Sequence, residues 1–263
     1  MQTGPLVGET RWSGGSFDEA ATRIRVATLL RNREQASWEV LDFARGRRLA
    51  GESVVDWKTV GLGWASAPLC LYAAVRTGKL HADEPLICRG DRDVPGGHGR
   101  LTALSALAKG CRSFVQQVAV RLTWADYQLA ARLFRMDGAL GPRPNDQMAR
   151  WRLFAEGVGV RLTLPQARLF ALAAARSDPG DPARTLVRTG ALEAVRSGYA
   201  QAAGVAGLDV SLIGGACRPG AEEQFLLAWS PFGKPRFVVV VHHRQSLDQG
   251  MSLVRRVFNV LAG

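Results

Sequence analysis

Strand-like runs stand at both ends of this chain, and the long stretch between them reads as helix. Near the start, Trp38-Glu39-Val40-Leu41-Asp42-Phe43 and Arg45-Gly46-Arg47-Arg48-Leu49-Ala50 give a strand, a glycine turn and a second strand. Near the finish, residues 210–216, 224–229 and 236–242 read as three more, the last two joined by the turn Pro231-Phe232-Gly233-Lys234-Pro235. Strands split in this way around a helical middle imply an α+β fold. One antiparallel sheet is built from the N- and C-terminal strands, with the helical block inserted between them. Residues 1–36 are then a lead-in and residues 37–263 the domain, with no repeat, low-complexity tract or later boundary.

The middle is punctuated by recognisable helix signals. A helix over residues 68–75 is closed by Gly78, and the expectation is that it packs against the sheet. Residues 81–100 are rich in Asp, Gly and Pro and read as loop. Helical spacing returns at residues 101–108 and at Phe114, Val118 and Leu122. Thr123-Trp124-Ala125-Asp126 is a capping box opening a helix with Leu129, Leu133 and Phe134 on one face, which Gly138 to Pro144 breaks. Thr163-Leu164-Pro165-Gln166 opens another, with the proline in the first turn, where its missing N–H costs nothing. Residues 185–195 form the next helix, and residues 252–261 close the chain as an amphipathic one.

Charge narrows the partners. The formal net charge is +11, carried mostly by Arg; only Lys58, Lys79, Lys109 and Lys234 are lysine. The arginines are scattered singly rather than gathered into a stripe with stacking aromatics, which argues against specific nucleic-acid recognition and leaves loose attraction to anionic polymers. The longest apolar runs, residues 169–175 and 237–241, fall far short of the roughly 20 residues that span a bilayer. Met1-Gln2-Thr3-Gly4-Pro5 has neither the basic nor the apolar region of a signal peptide, so the compartment is left open.

Cysteine and histidine give little direct chemistry. No C-x-x-C pair occurs, and His81, His98, His242 and His243 do not lie near Cys at zinc-finger spacing, so no metal or cofactor is expected. His242 and His243 end a strand-like run, point to opposite faces and read as exposed strand-end residues. Cys70 sits on an apolar helix face as a core residue. Cys88 and Cys111 are expected to be disulfide-bonded or inert thiols.

Five segments, in order, resemble the transpeptidase domain of penicillin-binding proteins. Residues 38–50 look like its opening hairpin. Gly63-Trp64-Ala65-Ser66-Ala67-Pro68 and the run to Gly78 resemble the helix after Pro-Gly-Ser-x-x-Lys-Pro. Leu86-Ile87-Cys88-Arg89-Gly90, His98-Gly99 and residues 103–122 resemble the Cys-x-Gly, the His-Gly and the helix carrying Ser-x-Asn. Residues 160–175 are similar to the Val-Thr-Pro-Leu-Gln-Leu-Ala helix. Residues 225–241 are similar to the strands after Lys-Thr-Gly.

The resemblance also implies where the chemistry should stand, and there it is missing. In that family a serine hydroxyl attacks a peptide carbonyl, and a lysine one helical turn on takes its proton. Here Trp64 stands at the serine position and Ala67 at the lysine position, and no Ser-x-x-Lys occurs anywhere. Ser66 is out of register, with Leu69 three residues on. Gly110 and Arg112 replace the serine and asparagine of the second motif. Ile213-Gly214-Gly215 replaces Lys-Thr-Gly, the alternative Arg188-Thr189-Gly190 being too far from the next strand. No catalytic residue is therefore assigned. The expectation is an inactive domain that binds or scaffolds, outside the cytoplasmic membrane, with a peptidoglycan stem peptide or a wall-synthesis protein as partner. Arg112 is the candidate ligand contact, as a fork for a carboxylate. A residual hydrolase or transferase with a non-standard nucleophile, such as Cys111, is the alternative.

Overall fold

In a computed structural model, residues 19–30, 36–52, 58–90, 95–217 and 223–262 are described. Met1–Pro5, read above for a signal peptide, lie outside them. In chain order the elements are α1 (Glu19–Leu30), β1 (Ala36–Asp42), β2 (Arg47–Glu52), β3 (Val60–Gly61), α2 (Ala67–Arg76), β4 (Leu86–Cys88), β5 (Gly99–Leu101), α3 (Ala103–Lys109) and α4 (Arg112–Ala119). There follow α5 (Trp124–Leu133), α6 (Gln147–Glu156), β6 (Arg161–Leu162), α7 (Leu164–Ala175), α8 (Pro182–Arg196), β7 (Ser211–Ala216), β8 (Gln224–Ser230), β9 (Phe237–His243) and α9 (Leu247–Ala262).

The sheet expected from the two chain ends is present. Its order is β2-β1-β9-β8-β7, antiparallel throughout, so β1 pairs directly with β9 across almost the whole chain. Alternate residues of β9 serve two cores. Val238 and Val240 face the helical block with Leu41, Phe225, Leu227 and Trp229. Phe237, Val239 and Val241 face α9 with Trp38, Val40 and Leu226. This two-sided burial explains why the run is apolar at every step rather than every second one.

Two polar contacts tie the layers together. Glu39, buried on the block side of β1, receives both Nε and Nη2 of Arg168 from α7 at 2.5 Å each. Its charge is compensated there, as a buried carboxylate requires. Asp181 caps α8 by accepting from the N–H groups of Ala183 and Arg184, and also accepts the Tyr72 hydroxyl at 2.7 Å, joining α8 to α2. The capping boxes at Thr123–Asp126 and Thr163–Gln166 form as expected, and Thr102 with Ser105 forms a third.

Several expectations need correction. The helix after Trp64 does not lie on the sheet: α2 sits inside the block against α4, α5, α6 and α8, and the turn before it touches β7 and β8. On α5 the buried face is Tyr127, Ala130 and Ala131, while Leu129 and Leu133 are each 39% exposed. Helix α6 was not foreseen; Asp146 caps its start and Gly157, at φ +64°, its end. Residues 81–100 hold the short β4–β5 pair rather than loop alone. His242 and His243 are buried, not exposed. They do face opposite ways: His242 meets Glu223, while His243 fills the space left by Gly250 of α9. Among the described residues no helix is long and apolar enough to cross a membrane.

Candidate functional site

The three motif-like segments converge at the sheet edge formed by β7. A single 3-10 turn, Gly63–Ser66, leads into α2 and lies flat against the end of that strand. Only glycine permits this approach at residue 63, since a Cβ there would sit 2.0 Å from the Ala216 carbonyl oxygen at a φ of +54°. Trp64 then lies over Gly215, where an added methyl would be 3.2 Å from its own Cβ. Ile213 completes this wall.

Tyr199 fills the centre, and the sequence reading passed over it. Its N–H donates to the Ala108 carbonyl at the end of α3, and the preceding Gly198 has no room for a side chain against that same oxygen. The phenol donates to the Gly214 carbonyl at 3.0 Å and accepts from the Trp64 indole. Burial holds this phenol well above the ordinary tyrosine range. Its ring also covers Gly110, whose Cβ would come within 3.2 Å of it. Gly110 is the left-handed C-cap of α3 at φ +66°, so a serine there would be both strained and crowded. The one sequence signal for Tyr199 is an isolated aromatic after a glycine between helix and strand.

Little space is left. The crevice among Trp64, Pro68, Leu107, Tyr199 and Ile213 holds about 10 Å³. The one beside it, lined by Trp64, Arg112, Glu156 and Ala216, holds about 10 Å³ as well. Each is no larger than a single water needs.

No family model matches the sequence, and neither does any curated protein. Solved structures do. A peptidoglycan glycosyltransferase from Burkholderia ambifaria superposes with a TM-score of 0.70 at 17% identity, over 93% of this chain and 92% of that one. The transpeptidase domain of a D,D-transpeptidase from Legionella pneumophila gives 0.69 at 13% identity, over 92% and 95%. The D,D-transpeptidase domain of a peptidoglycan glycosyltransferase from Eggerthella lenta gives 0.71 at 15% identity, over 91% and 80%. The chain has the penicillin-binding transpeptidase fold.

Within this fold the remaining candidates fall as follows. Ala67 begins α2 in the core, three residues on from Trp64, and Ser66 beside it is fully buried with no hydrogen-bond partner for its hydroxyl among the described residues. Arg112 opens α4 at the second crevice, facing the same space as Glu156. Arg188-Thr189-Gly190 lies in the middle of α8, far from any strand role. The Arg188 guanidinium is buried over the Phe232 ring and donates to the Phe232 carbonyl. Cys70 is a core residue, its thiol pushed well up by burial.

Cys88 and Cys111 are not joined by a disulfide, and both are buried. Burial alone would raise the pKa of Cys88. The backbone N–H groups of His98 and Gly90, with the side chains of Cys111 and His98, outweigh that and bring it to about 7. Its Sγ is 3.6 Å from His98 Nδ1. Two groups of side chains hold ligand atoms within 4.8 Å of one another, as a metal would require: Cys88, His98 and Cys111 in one, Cys217, Glu223 and His242 in the other. No metal is read from the sequence because these residues lack a ligand spacing there; the fold gathers Cys88 and His98 through the β4–β5 pair, and Cys217, Glu223 and His242 at the ends of β7, β8 and β9.

Proposed function

We propose that this chain is a non-catalytic penicillin-binding-type domain that serves cell-wall metabolism by binding or scaffolding through its outer surface. The resemblance of the five segments and the wall enzymes among the similar structures support the setting. What carries the reading is the packed site: Trp64 and Tyr199 occupy the position of the missing nucleophile, leaving about 10 Å³. A peptide backbone has no path there, and no hydroxyl or lysine stands at residues 64 and 67. Glu156 beside Arg112 also opposes capture of a peptide carboxylate.

The test is intact-mass spectrometry after incubation with a labelled β-lactam, together with calorimetric titration of a D-Ala-terminated peptide. Neither a mass increase nor binding at millimolar peptide is expected. A stoichiometric adduct would overturn the reading, and peptide mapping would name the nucleophile. The specific alternative is Cys88, whose thiol titrates at about 7 beside His98. Peptide binding that Arg112→Ala weakens by roughly ten- to a hundredfold would instead return the function to the groove, since a charge-assisted contact contributes about 1.5–3 kcal/mol.

A further inference from the structure

Beyond its glycines, β7 runs into a second group of side chains that the packed crevice does not use. Cys217 extends the β7–β8 ladder by one step, its N–H donating to the Glu223 carbonyl at 2.8 Å. Glu223 lies two residues before Phe225, and Phe225 lies directly opposite His242 on β9. Residues two apart on a strand, and residues opposite across a ladder, share a face. The register therefore sets Cys217, Glu223 and His242 together on the block side of the sheet. One ligand atom of each lies within 4.8 Å of the other two, and His242 Nε2 is 2.7 Å from Glu223 Oε1.

We propose that Cys217, Glu223 and His242 form a three-ligand zinc site, with the fourth tetrahedral position open to water or an external ligand. Thiolate, imidazole and carboxylate are the donors zinc takes, and three protein ligands are the number that leaves a position free. Bond lengths of about 2.0–2.3 Å place tetrahedral ligand atoms roughly 3.3–3.8 Å apart. The cluster reaches that spacing if the His242–Glu223 hydrogen bond opens by under about 1 Å and the Cys217 sulfur closes on the pair from within 4.8 Å. One thiolate and one carboxylate would neutralise a divalent ion, which a site with a buried cysteine and histidine requires.

The surroundings fit the same assignment. The Glu223 side chain is 29% exposed and gives the ion a way in, while the Gly61 backbone closes the opposite side of Cys217. Nothing in this assignment depends on whether the transpeptidase-like crevice is active.

The experiment uses the full chain with Cys88→Ala and Cys111→Ala, which leaves Cys70 and Cys217 as its thiols. After chelator treatment, cobalt(II) should bind one per chain with a thiolate-to-cobalt charge-transfer band that zinc displaces. Cys217→Ala should abolish the band. Glu223→Gln, which keeps the side-chain shape, should weaken binding by roughly tenfold or more, at least the loss seen when only a supporting partner is removed. No thiolate band, or a band surviving Cys217→Ala, overturns the proposal. If the double variant fails to fold, native mass spectrometry of the otherwise unaltered chain decides it. Glu223→Gln should then carry one zinc fewer at limiting metal, and equal zinc content overturns the site.

Discussion

The two halves of β7 solve opposite packing problems. At Gly214-Gly215 the strand presents bare backbone, and two aromatic side chains from elsewhere in the chain lie on it. At Cys217 it presents a side chain instead, and two polar groups from neighbouring strand ends gather round it. In the first region the indole N–H is answered by the phenol and the phenol by a carbonyl. In the second, a buried imidazole and a buried thiol share one half-exposed carboxylate. A fold keeps buried polar groups cheaply only when they are paired or hold an ion. On the proposed reading, identity at residue 64 is not the whole difference from an acylating site. A serine placed there would still face Tyr199 and the left-handed Gly110.

The largest effect expected at the aromatic end is from Trp64→Ala. The side chain is 8% exposed and spans the turn and the strand, so its loss should destabilise by about 3–5 kcal/mol, the range for deleting a buried large aromatic. Urea unfolding with an unchanged slope measures it. A cost under about 1 kcal/mol would mean the crevice collapses easily and that Trp64 is a surface flap rather than a filler.

A smaller effect separates hydrogen bonding from filling. Tyr199→Phe keeps the ring over Gly110 and removes the hydroxyl that joins Trp64 to Gly214. A buried carbonyl and indole N–H lose their shared partner, which should cost about 1–3 kcal/mol. The Trp64→Ala, Tyr199→Phe double variant should cost less than the sum, with a coupling of about 0.5–3 kcal/mol. Additivity would show that the two side chains act separately, and the comparison between the ends of β7 would lose its basis.

What the sequence disclosed was whatever repeats at short range. The strand run ending at His242, the Thr123 and Thr163 boxes and the Gly78 stop each depend on residues a few positions apart, and all are found as read. What it concealed depends on contacts across long separations. Helix α6 buries Leu153, Phe154 and Ala155, consecutive residues without helical spacing, and its Asp146 and Gly157 caps are single residues rather than a box. Leu129 and Leu133 have helical spacing like any core pair, yet the neighbours of α5 lie on its other side. Tyr199 reaches Trp64 over 135 positions and Gly110 over 89, so no local pattern marks it. The cluster of Cys217, Glu223 and His242 is likewise a product of pairing register, and that of Cys88, His98 and Cys111 of a strand pair meeting a helix start, neither of which the sequence prints.

The finest test concerns protons rather than packing energy. All three tyrosines have phenols raised above the ordinary value: Tyr72 to about 12 by burial and its bond to Asp181, and Tyr127 and Tyr199 further by burial. A phenol whose folded pKa is raised holds its proton longer in the native state. Its contribution to stability is complete below the unfolded value near pH 10 and is lost as pH climbs through the folded one. The folded protein should therefore show almost no tyrosinate absorbance at pH 10, and all three should ionise together when alkali unfolds it. A third of the full amplitude titrating normally near pH 10 would mean one phenol reaches water. If Tyr199→Phe removes that third, the lid over Gly214 opens in solution, and the aromatic end of β7 is a closable groove rather than a wall.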